Sequence, residues 1–274
     1  MKTRVRVDGR TCATLAADDR GLLYGDGLFE TLRVRHGRCP LWREHLRRLQ
    51  EGCRRLHLPT PDPRWLADER DRLIRGAADA VLRITWTRGS GARGYAPPRP
   101  AHPRGVLGLA PAPRVPAHWY RRGIRVRFCD LRVARQPRLA GLKHLNRLEQ
   151  VLARAEWCDP AIAEGLMLDT TGLVIGATAA NLFAVLDGRL LTPRVDRAGV
   201  AGVGRALVLR DVAEARERTL PAAVLAQASE LILVSAVRGA LPVRRLQDHR
   251  LRVGPWARRL QELFAAVGIG GADA

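Results

Sequence analysis

The sequence predicts an α+β fold in two domains. Short apolar runs with the two-residue alternation of strands are mixed with amphipathic helical stretches, without the regular strand–helix alternation of a doubly wound sheet. A chain of 274 residues is long for a single core and comfortable for two. Prolines crowd the stretch from Pro97 to Pro116 around one short apolar run, VLGLA. A domain boundary at its end leaves a smaller domain over 1–116, including the linker, and a larger one over 117–274.

Residues 4–8 and 28–35 read as strands around the loop DDRGLLYGDG. The segment 41–56, LWREHLRRLQEGCRRL, places Leu46, Leu49, Cys53 and Leu56 at helical spacing. A second helix covers Trp65 to Ile74. VLRITWT, residues 81–87, alternates like a half-buried strand and runs into the loop RGSGARGY. Beyond the boundary a strand starts at Ile124–Phe128, and a helix over 144–157 collects Leu145, Leu148, Val151, Leu152 and Ala155 on one side. Strands follow at 165–169, 181–186 and 231–235, and helices at 204–215 and 255–267.

The formal charge of +20 raises the question of nucleic acid, because phosphate neutralisation drives such binding. The arginines argue against it. They are spread from end to end, alternate with apolar residues in RVRV and IRVRF, and form neither a basic tail nor an aromatic-interleaved stripe. A surface that attracts small anions is the reading that remains. No run approaches the roughly 20 apolar residues of a membrane helix, and MKTRVRVDGRTC lacks the apolar stretch of a signal peptide, so a cytoplasmic location is expected. The five cysteines, Cys12, Cys39, Cys53, Cys129 and Cys158, contain no CxxC pair; they read as buried or half-buried thiols, with no metal site expected.

The lysine count carries more chemistry. Of 47 basic residues only Lys2 and Lys143 are lysine. Where charge alone matters this chain uses arginine. An interior lysine suits a task closed to a guanidinium: losing its proton and forming an imine. Glycines mark three places of tight turning or close approach, GDG at 25–27, RGSGARGY at 88–95 and AGVAGVGR at 198–205. The third leads into a predicted helix, whose free N–H groups and dipole suit a phosphate.

GLKHLNRLEQVLARAEW, DRGLLYGDGLFETLRV, REHLRRL and AANLFAVLDGRLLTP together resemble the class IV pyridoxal-phosphate enzymes. That family contains branched-chain aminotransferases, D-amino-acid aminotransferases and aminodeoxychorismate lyases. The resemblance runs from about residue 18 to residue 245, and KHLNRLEQ and RGSGARGY are nearest to the lyase branch. It implies two α/β domains with pyridoxal 5'-phosphate between them, a homodimer, and elimination of 4-amino-4-deoxychorismate to 4-aminobenzoate and pyruvate, with amino-group exchange as the rival activity. A basic binding protein that keeps the fold without the chemistry is the more distant alternative.

Residue by residue, the resemblance makes Lys143 the lysine joined to the cofactor. Arg48 matches the arginine that binds the phosphate, Val203 and Gly204 the helix start that holds it, and Ser235 and Ala236 a further phosphate-side loop. Thr31 matches the threonine that assists proton transfer in lyase members. Arg93 and Tyr95 match residues that grip substrate carboxylates, an arginine fork being suited to bidentate pairing. Two departures stand out. Gly176 occupies the place of a glutamate that faces the pyridine nitrogen, and Ser235, also a candidate substrate contact, stands where lyase relatives often carry asparagine.

Overall fold

The computed structural model describes residues 3–11 and 14–270; Lys2 and Cys12 lie outside the described residues. The chain forms two units. One runs to Pro113 and takes in Leu142–Asn146; the other comprises Arg114–Gly141 and the chain from Arg147 onward. The break therefore falls at Pro113 rather than Pro116, and Lys143 groups with the first unit, although the sequence reading places it in the larger domain.

The first unit contains β1 (Arg4–Val7), α1 (Arg20–Tyr24), β2 (Gly27–Arg35), α2 (Trp42–Arg55), α3 (Pro63–Ile74), β3 (Asp79–Thr87) and β4 (Arg104–Pro111). Its antiparallel sheet has the order β1-β4-β3-β2. Alternate strand residues point to opposite faces, and Leu28, Leu32 and Val34 of β2 join Leu82 and Ile84 of β3 and Leu107 and Leu109 of β4 beneath α2 and α3. Asp62 caps α3 by accepting from the Arg64 and Trp65 N–H groups, with Pro63 in the first turn, where no N–H is needed. β4 contains the apolar run VLGLA, to which the sequence reading assigns no element. Prolines crowd its flanks but do not interrupt Arg104–Ala110, so its alternation of Gly105, Leu107 and Leu109 inward survives.

The second unit contains α4 (Ala117–Arg122), β5 (Ile124–Val133), α5 (Leu148–Ala155), β6 (Ile162–Asp169), β7 (Val174–Ala177), β8 (Asn181–Leu186), β9 (Arg189–Pro193), α6 (Val203–Asp211), β10 (Arg216–Arg218), β11 (Glu230–Ser235), β12 (Gly239–Leu246), β13 (His249–Arg250) and α7 (Pro255–Ala266). A mixed sheet runs β10-β9-β8-β11-β12-β5-β6-β7, with β13 added to β12. The fold is thus mixed α and β, as the sequence predicts. Helix α7 packs on β11 and β12, and α6 on β11. The buried Glu230 carboxylate accepts from the N–H groups of Gly254, Trp256 and Ala257 and so caps the start of α7. No helix among the described residues is long and apolar enough to cross a membrane.

Helix α5 is shorter than its periodicity predicts. Residues 143–145 are held extended by pairing with β2, so the helix starts only at Leu148. Its apolar stripe is also not buried by its own unit: Leu148 is 76%, Val151 59% and Leu152 59% exposed. Cys39 is half-buried and Cys53 and Cys129 buried as expected, whereas Cys158 is exposed.

Phe264 of α7 has no exposed surface and lies against the position where a Cβ on Gly204 would sit. Phe264→Ala is expected to cost about 3–5 kcal/mol through the cavity it leaves. Urea unfolding of the variant, monitored by circular dichroism, measures this; an unchanged midpoint would mean that α7 does not support α6.

Candidate active site

In the first unit the site is organised by β2. The Phe29 N–H donates to the Lys143 carbonyl at 2.9 Å and the Leu145 N–H to the Gly27 carbonyl at 3.0 Å. These bonds lay the 143–145 segment along the start of β2. The Lys143 Nζ rests 4.2 Å from the centroid of the Phe29 ring, and the Arg83 guanidinium lies 4.1 Å from the same centroid. Arg83 is the direct cross-strand partner of Thr31. Phe29 and Thr31 are two residues apart, so Thr31, Arg83 and Lys143 share one face of the sheet. The structure therefore brings together the two residues to which the sequence reading gives catalytic roles.

The opposite face carries a buried charge cluster. Glu30, 1% exposed, accepts from Arg48 Nε at 2.8 Å and Arg48 Nη2 at 2.5 Å, and from His45 Nδ1 at 2.6 Å. Arg48 is thus half-buried and oriented by a carboxylate, while Arg47 beside it is exposed. Burial pushes the Glu30 carboxyl up, but the charge and hydrogen bond of Arg48, with help from His45, outweigh this and bring it down to about 2. Burial lowers His45, against the opposing hydrogen bond with Glu30, and the nearby Arg48 and Lys143 charges add to the lowering. The lowering favours the neutral ring, whose Nδ1–H then donates to the Glu30 carboxylate.

The loop RGSGARGY is anchored rather than free. Arg20, 4% exposed, donates to the carbonyls of Gly94 and Tyr95 at 3.0 and 3.1 Å, and its Nε bonds Asp26 of the GDG turn at 2.9 Å. Arg88 bonds the same Asp26 oxygen at 2.8 Å. Burial raises the Asp26 carboxyl, and the two arginines reverse that to a net lowering. Tyr95 is 85% exposed, with its ring edge-on to Tyr24, and Arg93 is exposed. The proposed carboxylate grip is therefore on an accessible loop whose backbone is fixed.

In the second unit α6 begins at Val203 after Gly202, an N-cap residue with no side chain to cap the helix. A Cβ on Gly204 would stand 3.0 Å from Phe264 Cζ and 3.2 Å from the Ser235 carbonyl carbon. A side chain here would press on both, so glycine suits a helix start this close to the end of β11. Gly204 thereby lies beside Ser235 at the start of α6, and a helix start with free N–H groups is suited to a phosphate. The Ser235 Oγ accepts from the Arg238 N–H at 3.1 Å, which leaves its own proton to donate. In the second unit the start of α6 suits the phosphate of pyridoxal 5'-phosphate; in the first, the half-buried Lys143 amine suits its aldehyde.

Gly176, on β7, has φ +143°, and a Cβ there would lie 3.1 Å from the Ala180 carbonyl oxygen. No glutamate fits this backbone without strain. The sequence reading missed Glu30, Glu164 and Arg238. Glu164, 3% exposed, accepts from Arg238 Nη2 at 2.8 Å and from the Thr178 hydroxyl. The available signal was a single acid inside an otherwise apolar strand, in GLFETL and IAEGLML.

The family model for amino-transferase class IV matches residues 27–246. The chain is 36% identical over 203 residues to an aminodeoxychorismate lyase of Vibrio harveyi, covering 74% of this chain and 75% of that protein. The crystal structure of a 4-amino-4-deoxychorismate lyase from Pseudomonas aeruginosa is 47% identical, with a TM-score of 0.92 over 96% of this chain and 98% of that one. A hypothetical aminotransferase from Mycobacterium tuberculosis in its PLP-bound form is 25% identical, with a TM-score of 0.80 over 97% and 98%.

Glu30 and His45 both bind fewer protons in the folded than in the unfolded chain, since both pKa values are lowered. The His45 contribution is complete above its unfolded pKa of about 6.5 and fades as pH falls below it. The Glu30 contribution, on the order of 3 kcal/mol, is complete above about 4.5 and is lost as pH falls toward 2. Unfolding free energies between pH 7 and pH 3 should fall steeply in the natural protein and less so in Glu30→Gln. An equal fall in both would assign the acid sensitivity to other groups.

Proposed function

Because the chain belongs to the amino-transferase class IV family, we propose that it is a pyridoxal-phosphate-dependent lyase that converts 4-amino-4-deoxychorismate to 4-aminobenzoate and pyruvate. The observation that carries this reading is the 47% identity to a lyase of that activity along nearly the whole chain, against 25% for the aminotransferase structure. Lys143 binds the cofactor through its amine. Arg48, the N–H groups of Val203 and Gly204, and Ser235 and Ala236 hold the phosphate. Once bound, pyridoxal phosphate supplies an electron sink for charge left at the substrate carbon.

The chain's own residues do the rest. The Lys143 amine takes the proton from the carbon that bears the substrate nitrogen. Thr31, on the same sheet face, delivers a proton toward the departing enolpyruvyl group. Arg93 and Tyr95 hold the substrate's carboxylates, and the Arg20–Asp26 anchor keeps their loop in one conformation. Ser235 is a further substrate contact. Gly176 offers no carboxylate to the pyridine nitrogen. This favours elimination, whose product gains aromaticity, over amino-group exchange. The exposed Leu148, Val151 and Leu152 of α5 support a homodimer, and we place the enzyme in the cytoplasm.

The decisive experiment mixes purified protein, pyridoxal phosphate and 4-amino-4-deoxychorismate and follows 4-aminobenzoate. Efficient amino-group exchange on branched-chain or D-amino acids with no 4-aminobenzoate would refute the lyase reading. Lys143→Ala should abolish both the visible absorbance of the bound cofactor and borohydride-trapped labelling; labelling that persists elsewhere rules the assignment out. Thr31→Val should lower turnover by about 10²–10⁴-fold with cofactor binding intact, the usual contribution of a positioned proton donor. Unchanged turnover reduces Thr31 to a packing residue.

A further inference from the structure

The short connection from β11 to β12, Ser235–Gly239, is pinned from three directions. The Arg238 N–H donates to Ser235 Oγ at 3.1 Å, the Tyr120 hydroxyl donates to the Arg238 carbonyl at 2.8 Å, and Arg238 Nη2 donates to Glu164 Oε2 at 2.8 Å. Gly239, with φ +70°, closes the turn. Glu164 belongs to β6, and its other oxygen accepts from the Gly165 N–H and from the hydroxyl of Thr178, just past the end of β7. One buried carboxylate thus joins β6, the β7–β8 connection and the β11–β12 turn.

The direction of the Ser235 hydrogen bonds makes this more than scaffolding. A serine hydroxyl has one proton to give and two lone pairs to accept with. The Arg238 N–H occupies a lone pair, so the proton is free for an anion. Ser235 lies against Gly204 in the first turn of α6, whose N-cap residue, Gly202, has no side chain to offer, with the Asn181 amide oxygen beside Gly202. The Arg238 guanidinium is engaged by Glu164 through Nη2.

We propose that Glu164 and Arg238 are positioning residues for the cofactor phosphate: their ion pair fixes the Ser235–Gly239 turn so that Ser235 presents its proton to the anion at the start of α6. This rests on the reading that Val203, Gly204 and Ser235 hold that phosphate. The pair acts on the phosphate end alone, so its loss is felt by pyridoxal phosphate and not by pyridoxal, which lacks the phosphate.

The test titrates the full-length protein with pyridoxal phosphate and with pyridoxal, reading equilibrium dialysis for Glu164→Gln, Arg238→Met, Arg238→Lys and Ser235→Ala. Unfolding midpoints are measured in parallel. Arg238→Met and Glu164→Gln should weaken pyridoxal phosphate by roughly tenfold, the loss of one charge-assisted contact, and leave pyridoxal unchanged. Ser235→Ala should show the same selectivity, and Arg238→Lys, which keeps a cation for Glu164 and folds most conservatively, should recover much of the affinity. Equal loss for both ligands, or loss of stability without any change in affinity, would make the pair merely structural and overturn the proposal. If Ser235→Ala and the natural protein bind the two ligands alike, the phosphate-cradle reading fails and the positioning role goes with it. Selective loss in Ser235→Ala alone leaves the cradle standing and removes only Glu164 and Arg238 from it.

Discussion

Two backbone hydrogen bonds, from Phe29 to Lys143 and from Leu145 to Gly27, set the geometry on which the first unit's chemistry depends. They fix the 143–145 segment in register with β2 and so determine which β2 side chains accompany the lysine. Successive residues of a strand face opposite ways. Phe29 and Thr31 therefore lie on the lysine's face, while Glu30 turns to α2 and orients Arg48 and His45. One strand serves two tasks, divided by parity. A slip of one residue in the pairing would exchange the two sets.

A chain with 47 basic and 27 acidic residues uses buried and half-buried carboxylates to orient arginines and backbone donors. Glu30 holds Arg48, Asp26 holds Arg20 and Arg88, and Glu164 holds Arg238. Buried ion pairs contribute uncertain net stability, because desolvation offsets attraction. Their effect here is geometric: each fixes a guanidinium or a turn in one arrangement. Glu230 extends the same device to backbone N–H groups at α7. The start of α6 has glycine at its N-cap, which brings no side-chain acceptor of its own.

The sequence makes the mixed fold legible through strand alternation and helical spacing, and Lys143 through its rarity. The glycines before α6 point to the helix start, and Ser235 packs beside it because Gly204 has no Cβ. Other features are carried by pairings that local pattern does not encode. β4 is concealed by the prolines that bracket it, although its own residues alternate. The apolar side of α5 reads as a face for its own core, yet Leu148, Val151 and Leu152 are exposed. Glu30, Glu164 and Arg238 acquire meaning only from partners far away in the chain, 74 positions for Glu164 and Arg238.

The backbone at Gly176 has an evolutionary corollary. With φ +143° and the Ala180 carbonyl 3.1 Å from any added Cβ, a single codon change to glutamate meets steric resistance before its charge can be of use. An acid at that place asks the Ala180 carbonyl to give way as well as the backbone to accept a side chain at this φ. Two coupled changes are harder to reach by single steps than one. The glycine therefore behaves as a ratchet: descendants of this sequence are held away from a carboxylate at residue 176 by local geometry, whatever advantage the charge itself would bring.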